Sequence, residues 1–198
     1  MRVSREKAAE NRDRIVLTAA RLFREKGFDG VGIDAIMQAA DLTHGGFYRH
    51  FQSKDDLSAE AVARGLATNA EYQASLSSLR AFAAGYLSPE HRDDRAGGCT
   101  VAALVSEMGR QGPGVRRKLT QAIQEQFDRI AGWLPGRSKG ARRREAMTAY
   151  AGLVGTLVLA RAVDDAKLSG EILAAGRAAF SGRRSAQKSA RRAAVENA

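Results

Sequence analysis

The chain has 198 residues, 44% of them hydrophobic and only three of them proline, so it can bury a sizeable core and favours helix. A single cysteine, Cys99, excludes an intrachain disulfide and fits a reducing compartment, where it reads as a buried thiol at the start of an apolar helix. The net charge of +10 favours a polyanionic partner.

That charge is unevenly placed. Residues 1–26 carry eight Lys/Arg and four Asp/Glu, a balance of +4, whereas residues 27–60 carry two and six, a balance of −4. The surplus therefore lies in the C-terminal two-thirds, and charge alone does not locate a site. The start from Met1 to Arg14 is charged throughout and holds no apolar run of secretory type. The longest uncharged run, Ala146–Ala160, has about 15 residues against the roughly 20 that span a bilayer. A soluble, cytoplasmic protein with no membrane partner is expected.

Residues 1–7 are polar and basic and are expected to be disordered in isolation. From Ala8 to Lys26, Ile15, Ala19, Leu22 and Phe23 share one helical face, and Gly27 stands where a left-handed cap would end the helix. Ile33, Ile36, Met37 and Ala40 then fall at i, i+3, i+4 and i+7, the apolar face of a short helix. Asp41-Leu42 breaks that pattern, and Thr43 offers a side-chain oxygen where the next helix needs its N-cap. In that next helix Phe47 and Phe51 are four apart and point inward. His44, Gly45, Tyr48, Arg49 and His50 are left on or near its outer side. Two short helices joined by a tight turn, the second showing small and polar residues at its start, read as helix-turn-helix. Gly45 and Gly46 each weaken a helix by about 1 kcal/mol relative to alanine, which makes sense where backbone must closely approach another surface. Ser53 with Asp56 forms a variant capping box that opens a further helix, with Lys54 at its positive end. The expected core of this bundle is Ile15, Ala19, Phe23, Phe28, Ile33, Ile36, Leu42, Phe47 and Phe51.

The run G-F-D-G-V-G-I-D-A-I…A-D-L-T-H-G-G-F-Y-R-H-F-Q-S-K-D-D-L resembles the DNA-binding signature of TetR-type (TetR/AcrR) transcriptional regulators, over roughly residues 8–60. Phe47-Tyr48-x-His50-Phe51-x-Ser53-Lys54-x-x-Leu57 is its most selective part. Three positions depart from the family pattern. Gly32 stands where Thr or Ser is usual, Asp41 replaces a common Gly, and His44 replaces a common Lys. The base preference therefore does not carry over from relatives.

The resemblance implies roles for individual residues. Thr43 would cap the recognition helix and bind a phosphate, as suits the unpaired amides of a helix start. His44 and Gly45 would face base edges in the major groove, the first by hydrogen bond and the second by close backbone approach. Tyr48, Arg49 and His50 would contact phosphates, as would Lys54, and Gln38 would reach the DNA backbone. The plain alternatives are that Tyr48 and His50 are half-buried packing residues and Lys54 an ordinary solvated lysine. Phe47 and Phe51 are core under either reading.

Beyond this module the chain keeps its helical pattern. One helix is expected from Lys54 into the seventies and another over Ser78–Leu87, followed by a charged loop from Ser88 to Gly98. Apolar Cys99–Met108, amphipathic Val115–Leu134, a turn over residues 135–140, and helices Ala141–Asp165 and Ser169–Phe180 complete the reading. Met147, Tyr150, Ala151, Val154, Leu157 and Val158 give the penultimate helix a wide apolar surface, with Gly152 and Gly155 keeping it low in relief. Such a helix needs cover on more than one side, which points to a homodimer through the last two helices; internal core is the alternative.

The fold class expected is all-α: an N-terminal three-helix DNA-binding domain over 1–52, a larger helical ligand-binding and dimerisation domain over 53–182, and a disordered basic tail over 183–198. The family resemblance implies a small-molecule inducer whose identity and binding residues the sequence does not give. Phe82, Tyr86, Met108, Phe127, Trp133 and Tyr150 are at helical spacing and read as core before ligand wall. His44, His50 and His91 lack metal-ligand spacing, and neither a phosphate-cradling loop nor a nucleophile elbow is present, so neither an enzyme nor a cofactor is expected. The function expected is a sequence-specific regulator, a repressor on a palindromic operator released by a ligand. The alternative is an architectural protein that coats DNA without sequence choice.

Overall fold

The computed structural model describes residues 5–135 and 138–181, and every regular element among them is helical. Helix α1, Arg5–Lys26, turns Ile15, Val16, Ala19, Ala20 and Phe23 inward. It begins three residues before the expected Ala8, because Arg5, Glu6 and Lys7 are good helix formers that need no apolar partner. It stops at Gly27, whose φ of +78° lets its N–H close on the Phe23 carbonyl at 2.8 Å. Helix α2, Ile33–Ala39, buries Ile36 and Met37. The chain then turns through Asp41 at φ +54°, a left-handed position that Asp tolerates better than most residues. His44–Arg49 follows as one 3-10 segment rather than an α-helix.

Helix α3, Lys54–Ala74, opens on the expected box. The Asp56 N–H donates to Ser53 Oγ at 3.1 Å, and the Asp56 carboxylate accepts from the Gln52 N–H at 3.3 Å. Helix α4, Leu79–Tyr86, is capped by Ser78, whose Oγ accepts from the Ala81 N–H. The charged stretch from Ser88 is not all loop: Pro89–Asp93 forms the short helix α5, with Ser88 Oγ accepting from the His91 N–H at 3.1 Å. Proline fits a first helical turn, where its missing N–H is not needed. Helices α6, Thr100–Met108, and α7, Pro113–Trp133, follow. Of the turn expected over 135–140, residues 136 and 137 lie outside the described residues. Helix α8, Lys139–Ala162, is capped by Ser138. Helix α9, Ala166–Phe180, starts three residues earlier than expected because Asp165 caps it, accepting from the Lys167 and Leu168 N–H groups. The basic tail over 183–198 lies outside the described residues.

The chain divides into two compact units. The first holds the described residues up to Tyr72 together with Asp94–Gln124. Phe23, Phe28, Ile36, Met37, Phe47, Phe51 and Leu57 form its core with Leu104, Met108 and Val115. The helix-turn-helix thus shares its core with α3, α6 and the start of α7. Ile33 and Leu42 pack against this core only partly buried. The second unit holds Gln73–Asp93 and the described residues from Glu125. Phe82, Tyr86, Leu87, Ile130, Tyr150, Leu153, Leu157 and Leu173 are buried in it. Helices α8 and α9 pack closely here. A Cβ on Gly176 would lie 2.6 Å from Thr156 Cγ2 and 2.8 Å from Leu87 Cδ1, and one on Gly152 would lie 3.2 Å from Phe180 Cζ.

Candidate nucleic-acid interface

The recognition segment is held from inside by two phenylalanines. Phe47 is fully buried and Phe51 nearly so, with ring centroids 5.6 Å apart. Six residues with 3-10 bonding cannot hold themselves in water, so this aromatic pair fixes the segment to its core. The outward residues follow from that anchoring. Thr43, His44, Gly45, Tyr48 and Arg49 are exposed, and His50 is half-buried. Tyr48 stands edge-on to Phe47 at 5.2 Å and keeps 64% of its surface in solvent. It is therefore not the half-buried packing residue of the plain alternative.

Thr43 occupies the N-cap position in extended geometry, yet its side chain makes no capping bond. Its carbonyl instead accepts from the Gly46 N–H at 2.9 Å. Gly45 is not required by its own fold, since a Cβ there would meet nothing within 4 Å. Gly46 would meet Met37 Cε at 3.6 Å, an ordinary contact. Neither glycine has a positive φ.

The cations around the segment are tied to different degrees. Lys54 is half-buried and donates to the Phe28 carbonyl at 2.6 Å, bracing the loop after α1 with one of its three N–H groups. It is neither the plain solvated lysine nor a wholly free charge. The same Phe28 residue donates its N–H to Glu107 on α6 at 2.8 Å. His50 lies 6.5 Å from the Phe51 ring, and its pKa is lowered below the ordinary 6.5, chiefly by burial and further by Arg12 and Arg49. Arg12 stacks over Phe51 at 4.6 Å and forms a two-pronged ion pair with Glu60. Gln38 is exposed on the last turn of α2, and its carbonyl accepts from the Asp41 N–H at 3.0 Å.

Two neighbours of the site were not legible as such. Asp34, in the first turn of α2, pairs through its carboxylate with His44 Nδ1. They are ten residues apart across a turn, a separation that no helical periodicity encodes. Arg12 comes from α1 and reaches the recognition segment only through the bundle packing. Its i, i+4 relation is to residues of α1, so nothing in the local pattern pointed to Phe51.

Residues 15–61 match the family described as bacterial regulatory proteins, tetR family. The chain is 37% identical over 59 residues to the HTH-type transcriptional regulator AcrR of Shigella flexneri, a match covering 30% of this chain and 27% of that regulator. The likeness in fold runs further. A TetR transcriptional regulator from Chloroflexus aurantiacus superposes with a TM-score of 0.73 at 26% identity, covering 89% of this chain and 97% of that one. The regulator FadR of Bacillus subtilis, solved in complex with stearoyl-CoA, superposes at 0.52 with 15% identity, covering 81% and 95%.

Proposed function

We propose that the chain is a member of the TetR family of bacterial regulatory proteins, a homodimeric repressor that binds a palindromic DNA operator and is released by a small-molecule ligand. The observation that carries this reading is the division of one short segment into a buried aromatic side and an exposed polar side. Phe47 is sealed in the core while His44, Gly45, Tyr48 and Arg49 face out. The glycine that its own fold does not require, Gly45, is the position where backbone can approach the floor of a major groove.

In this reading residues 1–52, with Lys54 at the head of α3, supply the DNA contacts. His44 and Gly45 face bases, and Thr43, Tyr48, Arg49, His50 and Lys54 hold phosphates, with Gln38 at the flank. Residues 53–182 supply the ligand site and the dimer contact. Exposed Met147, Val158 and Leu159 on α8 and Leu168 on α9 support a partner subunit there. Leu159 alone leaves 59% of its surface uncovered. Gly155 adds to the open side, since a Cβ there would meet nothing within 4 Å, whereas Gly152 is used internally against Phe180. The ligand reading draws on the likeness in fold to a regulator solved with a fatty-acyl thioester. Operator and ligand then act reciprocally: a ligand that weakens operator binding tenfold binds the DNA complex tenfold less tightly, about 1.4 kcal/mol.

Selection of binding sites from a randomised duplex library by the full chain tests the reading. A palindromic consensus, with half-sites one or more helical turns apart, is the expected result. Retention of every sequence alike, with binding that depends only on salt, would favour an architectural coat instead.

A further inference from the structure

His44 sits between two neighbours. On one side its Nδ1 meets the Asp34 carboxylate, and on the other its ring stands edge-on to Tyr48 with centroids 6.1 Å apart. A carboxylate can only accept, so the hydrogen of this contact resides on Nδ1. The remaining ring nitrogen, Nε2, has no protein partner among the described residues, and half of the His44 side chain is open to solvent. Rotating the ring, or moving its hydrogen to Nε2, would forfeit the bond to Asp34.

Asp34 itself is 84% exposed and belongs to α2, not to the recognition segment. An exposed carboxylate at a DNA-facing surface opposes phosphate binding through like-charge repulsion, so it weakens affinity for every sequence alike. Its contact with His44 gives it a different consequence. On the reading of His44–Arg49 as the DNA-recognition segment, we propose that Asp34 is a specificity-determining residue that acts through His44. In the neutral ring it holds the hydrogen on Nδ1 and presents Nε2 to the major groove as a hydrogen-bond acceptor. The base edges that answer an acceptor there are the exocyclic amines, adenine N6 and cytosine N4. Guanine offers only acceptors at its major-groove edge and would face a lone pair without a hydrogen between them.

The experiment is site selection from a randomised duplex library with the full-length protein, its His44→Ala variant and its Asp34→Ala and Asp34→Asn variants. Thermal melts show that each is folded. The position read by His44 is the one whose preference His44→Ala erases. In the unmodified protein that position should carry adenine or cytosine. Asp34→Ala should raise overall DNA affinity by removing a negative charge, and should reduce discrimination at that one position by about fivefold, the worth of one hydrogen bond. Asp34→Asn, whose amide can donate as well as accept, admits the other tautomer and should let guanine in. A double variant lacking both side chains should have the base profile of His44→Ala. The proposal is overturned if Asp34→Ala shifts affinity for all sequences equally and leaves the base profile unchanged. It is also overturned if the unmodified protein selects guanine there, or if the double variant loses discrimination beyond His44→Ala. If the unmodified protein selects no sequence at all, the reading as a sequence-specific regulator fails instead, before Asp34 is reached.

Discussion

The recognition segment and the α8–α9 pair are stabilised in opposite ways. His44–Arg49 has six residues, 3-10 bonding and no side-chain cap. Its conformation is imposed from below by Phe47 and Phe51. Helices α8 and α9 run 24 and 15 residues, each with a working N-cap, Ser138 and Asp165. Between them Gly152 and Gly176 leave room for Phe180, Thr156 and Leu87 to interlock. Further ties come from side chain to backbone: Arg161 donates to the His91 and Arg92 carbonyls and Arg177 to the Leu87 carbonyl, the last at 2.6 Å. One region borrows its order from a core, whereas the other generates most of its own. A segment of the first kind is free to vary its outer face, because almost nothing on that face contributes to its fold.

Breaking the borrowed order should therefore have the largest effect. Phe47→Ala removes a fully buried ring shared with Phe51 and is expected to cost roughly 3–5 kcal/mol, read as a lowered urea midpoint. DNA binding should fall with it. Unchanged stability would mean that the segment holds itself, contrary to its length and bonding. In the α8–α9 pair the comparable injury is overpacking. Gly176→Leu drives a side chain into Thr156 and Leu87 and should cost about 1–3 kcal/mol by the same measurement. A neutral result would show that α9 can slide, and that its packing is looser than the contacts at Gly176 indicate.

The same contrast explains what the sequence disclosed. The core of the helix-turn-helix was legible because Ile15, Ala19, Phe23, Ile36, Phe47 and Phe51 recur at helical spacing, and burial follows spacing directly. Leu104, Met108 and Val115 join that core from far along the chain, and no local period announces such partners. Met108 was read with the C-terminal aromatic residues, yet it is fully buried in the first unit. Helix ends were missed by up to three residues where polar formers or a cap extended the helix past its last apolar position, as at Arg5 and Asp165. The sequence places a helical segment after Thr43, as found, but reads it as an α-helix where it is 3-10. The left-handed Asp41 tightens the chain in a way that side-chain periodicity does not register. The outward set from Thr43 to His50 could be named from the residues left over once the inward ones were assigned. Asp34 lay outside that set because only the turn brings it to His44.

A finer test compares two residues at the same formal position. Asp165 and Thr43 both precede a helix, but only Asp165 accepts from the amides it faces, at 2.8 and 3.1 Å. Asp165→Ala should cost about 1 kcal/mol of stability, the usual worth of a working cap. Thr43→Ala should cost less than about 0.5 kcal/mol, since no capping bond is lost and the residue is exposed. If Thr43 serves a phosphate, its loss should appear in DNA affinity and not in the melt. Equal destabilisation by the two changes would show that Thr43 caps its segment after all.

The smallest effect expected is a pH dependence at the border between the two faces of the recognition segment. Burial, reinforced by Arg12 and Arg49, lowers the His50 pKa below the ordinary 6.5, so the fold favours the neutral ring. The unfolded chain then binds the proton more readily than the folded one. The contribution of His50 to stability is therefore full above about pH 6.5 and is lost as pH falls through that value and through the lower folded one. A phosphate placed beside His50 would act in the opposite sense. It favours the imidazolium, so the complex takes up a proton and operator affinity should rise over the same acidic range in which the free protein loses stability. The informative quantity is the difference between the protein and its His50→Gln variant. Melting midpoints and operator affinities measured from pH 8 to about pH 5.5 should show slopes of opposite sign that are both reduced by His50→Gln. If only the stability slope is reduced, His50 is a packing residue of the first unit and does not face phosphate.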